Sequence, residues 1–247
     1  MAKVLRRFIP KRFVLKVSGE ALSGKKGFGS DPEVITHLAS CLAEARGAGY
    51  QLAVVVGGGN YFRGGDESGW TIPRTERDNV GILGTVMNGI FLRGALLNCG
   101  VDDARLMTAI PIPSIAEPYI RLRADHHLNK GKVLILAGGN GQPFVTTDYP
   151  SVQRAIELDA EALLVAKNGV SGIMTADPKV DASARLLDKL SHEDVIDRRI
   201  RVMDQAAFVL AMENSLTLKV FDVAVLNQLT EICGGEHIGT LVESPDR

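Results

Sequence analysis

Three glycine-rich stretches hold the residues whose types could do chemistry. "LKVSGEALSGKKGFG" spans residues 15–29 and carries Lys16 and Ser18, "GGGNYFRGG" spans 57–65 and carries Arg63, and "AGGNGQPFVTTD" spans 137–148. Each follows an apolar run, so each falls at the end of a candidate strand. Glycine lets a backbone approach an anion closely and aim several N–H groups at it, and Lys and Arg add the counter-charge. That combination is the chemistry of phosphate binding. The spacing fits neither standard glycine motif: G-x-G-x-x-G counted from Gly57 needs glycine where Phe62 stands, and G-x-x-x-x-G-K-[ST] is absent from these loops. The sequence therefore points away from a Rossmann dehydrogenase and from a P-loop enzyme. Any one loop reads equally well as a turn after a buried strand; three on one edge, with Lys16 and Arg63 among them, favour phosphate.

Little else in the chain could act as a nucleophile or a general base. His126 and His127 are adjacent, so their side chains diverge on a helix or strand and cannot share a metal. His37, His192 and His237 have no nucleophile or ligand spacing beside them, and neither a catalytic triad nor H-E-x-x-H occurs. Phosphoryl transfer to an acceptor that is already an anion needs no base. It needs cations, backbone donors and Mg²⁺ to hold repelling groups in line.

Elements able to hold such loops alternate along the chain. Strand-like runs at 12–19, 51–59, 104–110, 132–139, 162–167 and 216–222 are separated by helical patterns, which predicts an α/β fold with a mainly parallel sheet covered on both faces. Ligands of such sheets bind beyond the carboxyl ends of the strands. In the helix predicted over 31–46, Asp31 caps, Pro32 takes the first position and Gly47 follows the end. Val34, Ile35, Leu38, Cys41, Leu42 and Ala45 share its inward face. From 78 to 98 apolar residues spread around much of a helix, as an oligomer interface or a central core position would require.

Composition agrees with a globular, small-molecule protein. Of 247 residues 45% are hydrophobic, and the net charge is −1 with basic residues dispersed, which leaves no electrostatic footprint for nucleic acid. No signal-like segment or uninterrupted apolar run of about 18 residues is present, which predicts a cytoplasmic protein. Cys41, Cys99 and Cys233 are odd in number and far apart, and read as buried hydrophobes. No linker marks a boundary, so one continuous domain is expected over 1–247.

The motifs "LKVSGEAL", "GFG", "VVVGGGNYFRG", "RD" before "GILGTVMN", "PFVTTD", "AKNGVSGIMTADP" and "RVMDQAAFVLA" resemble, in the same order, those of bacterial uridylate kinases of the amino acid kinase superfamily. The resemblance runs from about residue 12 to residue 242. It implies ATP-dependent phosphorylation of UMP to UDP with Mg²⁺, on a three-layer αβα sandwich assembled as a hexamer, a trimer of dimers, with GTP as a possible activator and UTP as a possible inhibitor. It further implies that about 12–150 forms the acceptor and phosphate half and about 151–247 the ATP half.

By that resemblance Lys16, Val17, Ser18 and Gly19 bind ATP phosphates, with Lys16 on the transferred group. Gly58 and Gly59 face the acceptor and donor phosphates, Arg63 clamps from the side, and Asp204 lies near the phosphates and orients the basic groups. Asp78 binds the UMP ribose. Asn140, Gly141, Gln142, Pro143, Phe144, Val145, Thr146 and Thr147 surround the acceptor, while Asn168, Met174 and Asp177 align with positions around adenine and its ribose. Gly24, Lys25, Lys26, Gly27, Phe28 and Gly29 match the segment tied to GTP, and the apolar helix near 78–98 becomes the dimer seam. Departures from the family pattern fall around the bases rather than the phosphates: Asn140 and Gln142 in "GNGQP", Asn79, Ser171, and Met174 in place of an aromatic residue. Two alternatives share the motifs: a nucleotide-binding or storage relative with weak or no turnover, and a kinase of another small acceptor of carbamate or amino-acid type.

Overall fold

The computed structural model describes residues 11–62, 71–176, 181 and 183–244 of the chain. Arg63 and Asp177 therefore lie outside the described residues. The first half runs β1 (Arg12–Val17), α1 (Gly19–Leu22), α2 (Pro32–Gly47), β2 (Gln51–Val56), α3 (Arg74–Asn98), β3 (Arg105–Thr108), β4 (Glu117–Pro118), α4 (Arg121–Asn129) and β5 (Leu134–Ala137). The second runs α5 (Asp148–Glu157), β6 (Ala162–Lys167), β7 (Lys189–Ser191), α6 (His192–Asp197), α7 (Gln205–Glu213), β8 (Leu218–Asp222), α8 (Leu229–Gly234) and β9 (Thr240–Glu243).

The strands form one sheet in the order β4-β3-β5-β2-β1-β6-β8-β9-β7. Neighbours are parallel except β8 and β9, so the α/β expectation holds. Residues of the central strands alternate between two cores, as strands buried on both faces must. Phe13, Leu15, Val17, Leu52, Val54 and Val56 join one core with α2, α3 and α8. Val14, Ala53 and Val55 join the other with residues of α4 to α7. The six expected strands are present; β4, β7 and β9 were not expected, being two to four residues long and too short to show a period.

Three local expectations need correcting. Gly47 belongs to α2, and the chain leaves the helix through Gly49 at φ +96°, where a side chain would be strained. Val34 is half-buried and packs against the core from the expected face, whereas Cys99, expected to be buried like Cys41 and Cys233, is only half-buried. Finally, α3 is long and apolar enough on average to meet the length and composition test for a membrane span, although no uninterrupted apolar run exists. Its two faces differ: Gly84, Thr85, Val86, Asn88, Gly89, Leu92 and Leu96 are buried, while Val80, Leu83, Met87, Ile90, Phe91 and Leu97 are exposed.

Candidate active site

β1 and β2 run in register, with Val17 opposite Val56, so the loops after them leave the sheet side by side. Gly57 N–H donates to Val17 O at 2.8 Å. The loops then pack backbone against backbone. A Cβ on Gly57 would sit 2.6 Å from Gly19 N, one on Gly19 would sit 2.4 Å from Gly59 N, and one on Gly58 would sit 2.2 Å from Gly81 O of α3. None of these contacts leaves room for a side chain. The glycines of "GGGN" are thus required first by the close approach of three backbone segments.

The third loop follows β5. Gly138 turns at φ +79°, Phe144 is also left-handed at φ +65°, and the loop ends where Asp148 begins α5. Phe144 N–H donates to Asp78 Oδ2 at 2.8 Å. The Arg74 guanidinium lies 3.2 Å from Asp78 Oδ1 and 5.5 Å from the centre of the Phe144 ring, so this loop, the expected acceptor loop, is tied to the first turns of α3.

These loops enclose a cavity of about 570 Å³. Its lining includes Lys16, Ser18, Gly19, Gly58, Gly59, Asp78, Asn140, Gln142, Phe144, Val145, Thr146 and Thr147 among the residues singled out in the sequence. On its floor Lys16 Nζ lies 2.7 Å from Asp148 Oδ1, and Lys16 is 4% exposed. Burial opposes a charge on Asp148. The Lys16 and Lys167 ammonium groups and the Asp204 backbone N–H overcome it and hold the carboxyl below its usual range. Asp148 is a cavity residue the sequence reading did not single out; it opens α5 directly after Thr147, a place any acid in a first helical turn can take.

Asp204, expected to orient the basic groups, reaches Lys16 through a neighbour. The carboxylate on Lys16 is Asp148. Asp204 stands one step behind, accepting from Thr146 Oγ1 at 2.5 Å and donating its backbone N–H to Asp148 Oδ2 at 3.2 Å. Other singled-out residues lie outside the lining. Val17 is fully buried in the core, and Gly141 and Pro143 belong to the acceptor loop. Asn168 is exposed after β6, and Met174 is half-buried and bridges to Leu186. Gly24–Lys26 form a 3₁₀ turn. Gly27 and Phe28 follow it, Phe28 packing edge-on to Tyr61, and Gly29 N–H donates to Asn60 O, so that segment rests on the glycine loop.

A divalent ion at this cavity would have to be carried largely by oxygens of a bound substrate. Among the described residues no group of three or more His, Cys, Asp or Glu could hold a metal, and Asp148 is committed to Lys16. Mg²⁺ typically keeps several waters and uses substrate phosphates with only one or two carboxylates.

A parallel sheet with glycine loops and a buried lysine at its carboxyl edge defines an α/β phosphate-binding protein of the phosphotransferase kind. The Amino acid kinase family profile matches residues 11–222, and the chain belongs to that family. It is 52% identical over 234 residues to a uridylate kinase of Frankia casuarinae, covering 95% of this chain and 90% of that one. It is 45% identical to a uridylate kinase of Pediococcus pentosaceus, covering 96% and 98%. The crystal structure of a UMP kinase from Bacillus anthracis superimposes with a TM-score of 0.90 at 47% identity, covering 96% of this chain and 98% of that chain.

Proposed function

We propose that this chain transfers the terminal phosphoryl group of ATP to UMP, giving UDP and ADP. The observation that carries the reading is the buried Lys16 between the glycine loops and the acceptor loop, supported by relatives named uridylate kinase at 45–52% identity. An oxygen of the UMP phosphate attacks the γ-phosphorus as the bond to the β-phosphate oxygen breaks. The acceptor oxygen is already ionised, so no residue has to remove a proton. Lys16 neutralises the transferred group, and Asp148 fixes the ammonium in place. Ser18, Gly19 and Gly59 meet the donor phosphates, and Gly58 meets the acceptor phosphate. Arg63 completes the cationic ring; a planar guanidinium can hold two phosphate oxygens at once.

Asp78 and the 140–147 loop bind the nucleoside of UMP, and Asn168, Met174 and Asp177 bind that of ATP. About 12–150 then forms the acceptor half and about 151–247 the donor half. Mg²⁺ would be held chiefly by the ATP phosphates and would screen their charge. We further propose a cytoplasmic enzyme of pyrimidine nucleotide synthesis, a hexamer built as a trimer of dimers through the exposed face of α3. In it residues 24–29 respond to GTP, and UTP inhibits.

Assays of ADP release with each nucleoside monophosphate in turn test the reaction. UMP is expected to be strongly preferred; preference for AMP, or for a carboxylate acceptor, would overturn it.

A further inference from the structure

Helix α3 carries two buried polar side chains on its inward face, Thr85, which borders the cavity, and Asn88. They are three residues apart and so lie one turn above another. Asn88 is 0% exposed and lies outside the cavity lining. Its Nδ2 donates to Gly57 O at 2.7 Å and to Asn60 Oδ1 at 2.8 Å, while its Oδ1 accepts from Asn60 Nδ2 at 3.0 Å and from Ser30 Oγ at 2.6 Å. Both ends of the amide are therefore engaged by the donor-side glycine loop. Thr85 Oγ1 accepts from Gly138 N–H at 2.7 Å and donates to Ile82 O at 2.6 Å. Gly138 opens the acceptor loop. One helix face thus grips both loops through one side chain each.

A core position on a helix is ordinarily apolar, and a buried polar group needs a full set of partners to be tolerated. Here those partners include a backbone atom of each loop, Gly57 O for Asn88 and Gly138 N–H for Thr85, with the Asn60 and Ser30 side chains and Ile82 O completing the set. We propose that Thr85 and Asn88 are positioning residues for phosphoryl transfer, acting together to fix the separation and orientation of the donor and acceptor loops. This rests on the reading of the cavity as a kinase site. In-line transfer depends steeply on that separation, and a displacement of about 1 Å can cost on the order of 100-fold in rate. Gly81 and Gly84 bring α3 near enough for the short side chains to reach. A Cβ on Gly84 would sit 3.0 Å from Gly58 O.

Thr85→Val keeps the shape of the side chain and removes its hydroxyl; Thr85→Ser keeps the hydroxyl. Asn88→Ala removes the other grip. In Thr85→Val, kcat for UDP formation is expected to fall roughly 10- to 100-fold, with calorimetric Kd values for ATP and UMP changed by less than about threefold. Thr85→Ser is expected to stay close to wild type, and Asn88→Ala to repeat the Thr85→Val pattern. An unchanged kcat in folded Thr85→Val, or an equal loss in Thr85→Ser, would overturn the proposal. If Asn88→Ala does not fold, the threonine pair decides alone. If the wild-type chain makes no UDP, the kinase reading has failed, and hydrogen exchange then tests the positioning. Faster exchange of the Gly138 amide in Thr85→Val supports it, and unchanged exchange overturns it.

Discussion

Lys16 and Asp148 form a buried ion pair, Nζ to Oδ1 at 2.7 Å, that joins the first strand of the sheet to the helix following the acceptor loop. Removing one partner of such a pair leaves an uncompensated charge, whereas replacing both by apolar groups of similar volume is often tolerated. Lys16→Met is expected to lower stability by about 3 kcal/mol and kcat by roughly 10²- to 10³-fold. The double variant Lys16→Met/Asp148→Leu should recover most of the stability and none of the activity. Urea unfolding and the ADP-release assay separate these effects. A double variant as unstable as the single one would show that the pair is more than charge compensation.

Gly58 and Gly47 make opposite predictions from the same substitution. Alanine at Gly58 places a methyl 2.2 Å from the Gly81 carbonyl oxygen, whereas alanine at Gly47 meets nothing within 4 Å at the end of α2. Gly58→Ala should cost activity and on the order of 2 kcal/mol, the range for forced overpacking. Gly47→Ala should be neutral or stabilising by up to about 0.5 kcal/mol. Thermal unfolding of the two variants side by side checks both signs.

His192 sets the first response to acid. It is fully buried; Nε2 donates to Leu216 O at 2.9 Å, so Nδ1 is left to accept from Ser244 Oγ at 3.3 Å. Burial pushes its pKa down, against the hydrogen bond to Leu216 and the charges of Glu193 and Glu243. The unfolded chain then binds the extra proton first, so stability rises with pH below about 6.5 and is lost on acidification. Asp148, also depressed, adds the same sign only as pH falls below about 4. The Tm should therefore drop between pH 7 and 5, and His192→Gln should flatten that slope. An identical slope in the variant would assign the acid response elsewhere.

The exposed face of α3 bears on assembly. Phe91 is 54% and Leu83 49% exposed, with Met87 between them along the helix. If two copies meet there, Met87→Glu should halve the mass of the smallest stable oligomer measured by light scattering, at protomer stability changed by less than about 0.5 kcal/mol. An unchanged mass would move the seam to another surface.

Much of the fold was legible because strands buried on both faces read as unbroken apolar runs; "QLAVVV" at 51–56 is buried throughout. The strands at 117–118, 189–191 and 240–243 were not, since they are short and only partly buried, carry no unbroken apolar run, and depend on neighbours already in place. In the site, Lys16 and the three loops were found from type and position, and Asp78 through the resemblance to uridylate kinases. Asp148 escaped because nothing local distinguishes it from a helix-capping acid, and only the fold brings it to Lys16. Thr85 and Asn88 escaped for the opposite reason. In the sequence they interrupt an apolar helix, and the loop atoms they hold, Gly138 N–H and Gly57 O, lie 53 and 31 positions away.

The acceptor loop is fastened at both ends, at Gly138 by Thr85 and at Asp148 by Lys16, while Phe144 between them is largely exposed. A segment clamped at its two roots can exchange its exposed residues without disturbing the Lys16–Asp148 pair. Asn140 and Gln142 lie in that stretch, so on the proposed reading a change in what the cavity selects and preservation of its anchoring lysine are mechanically separate problems in this architecture.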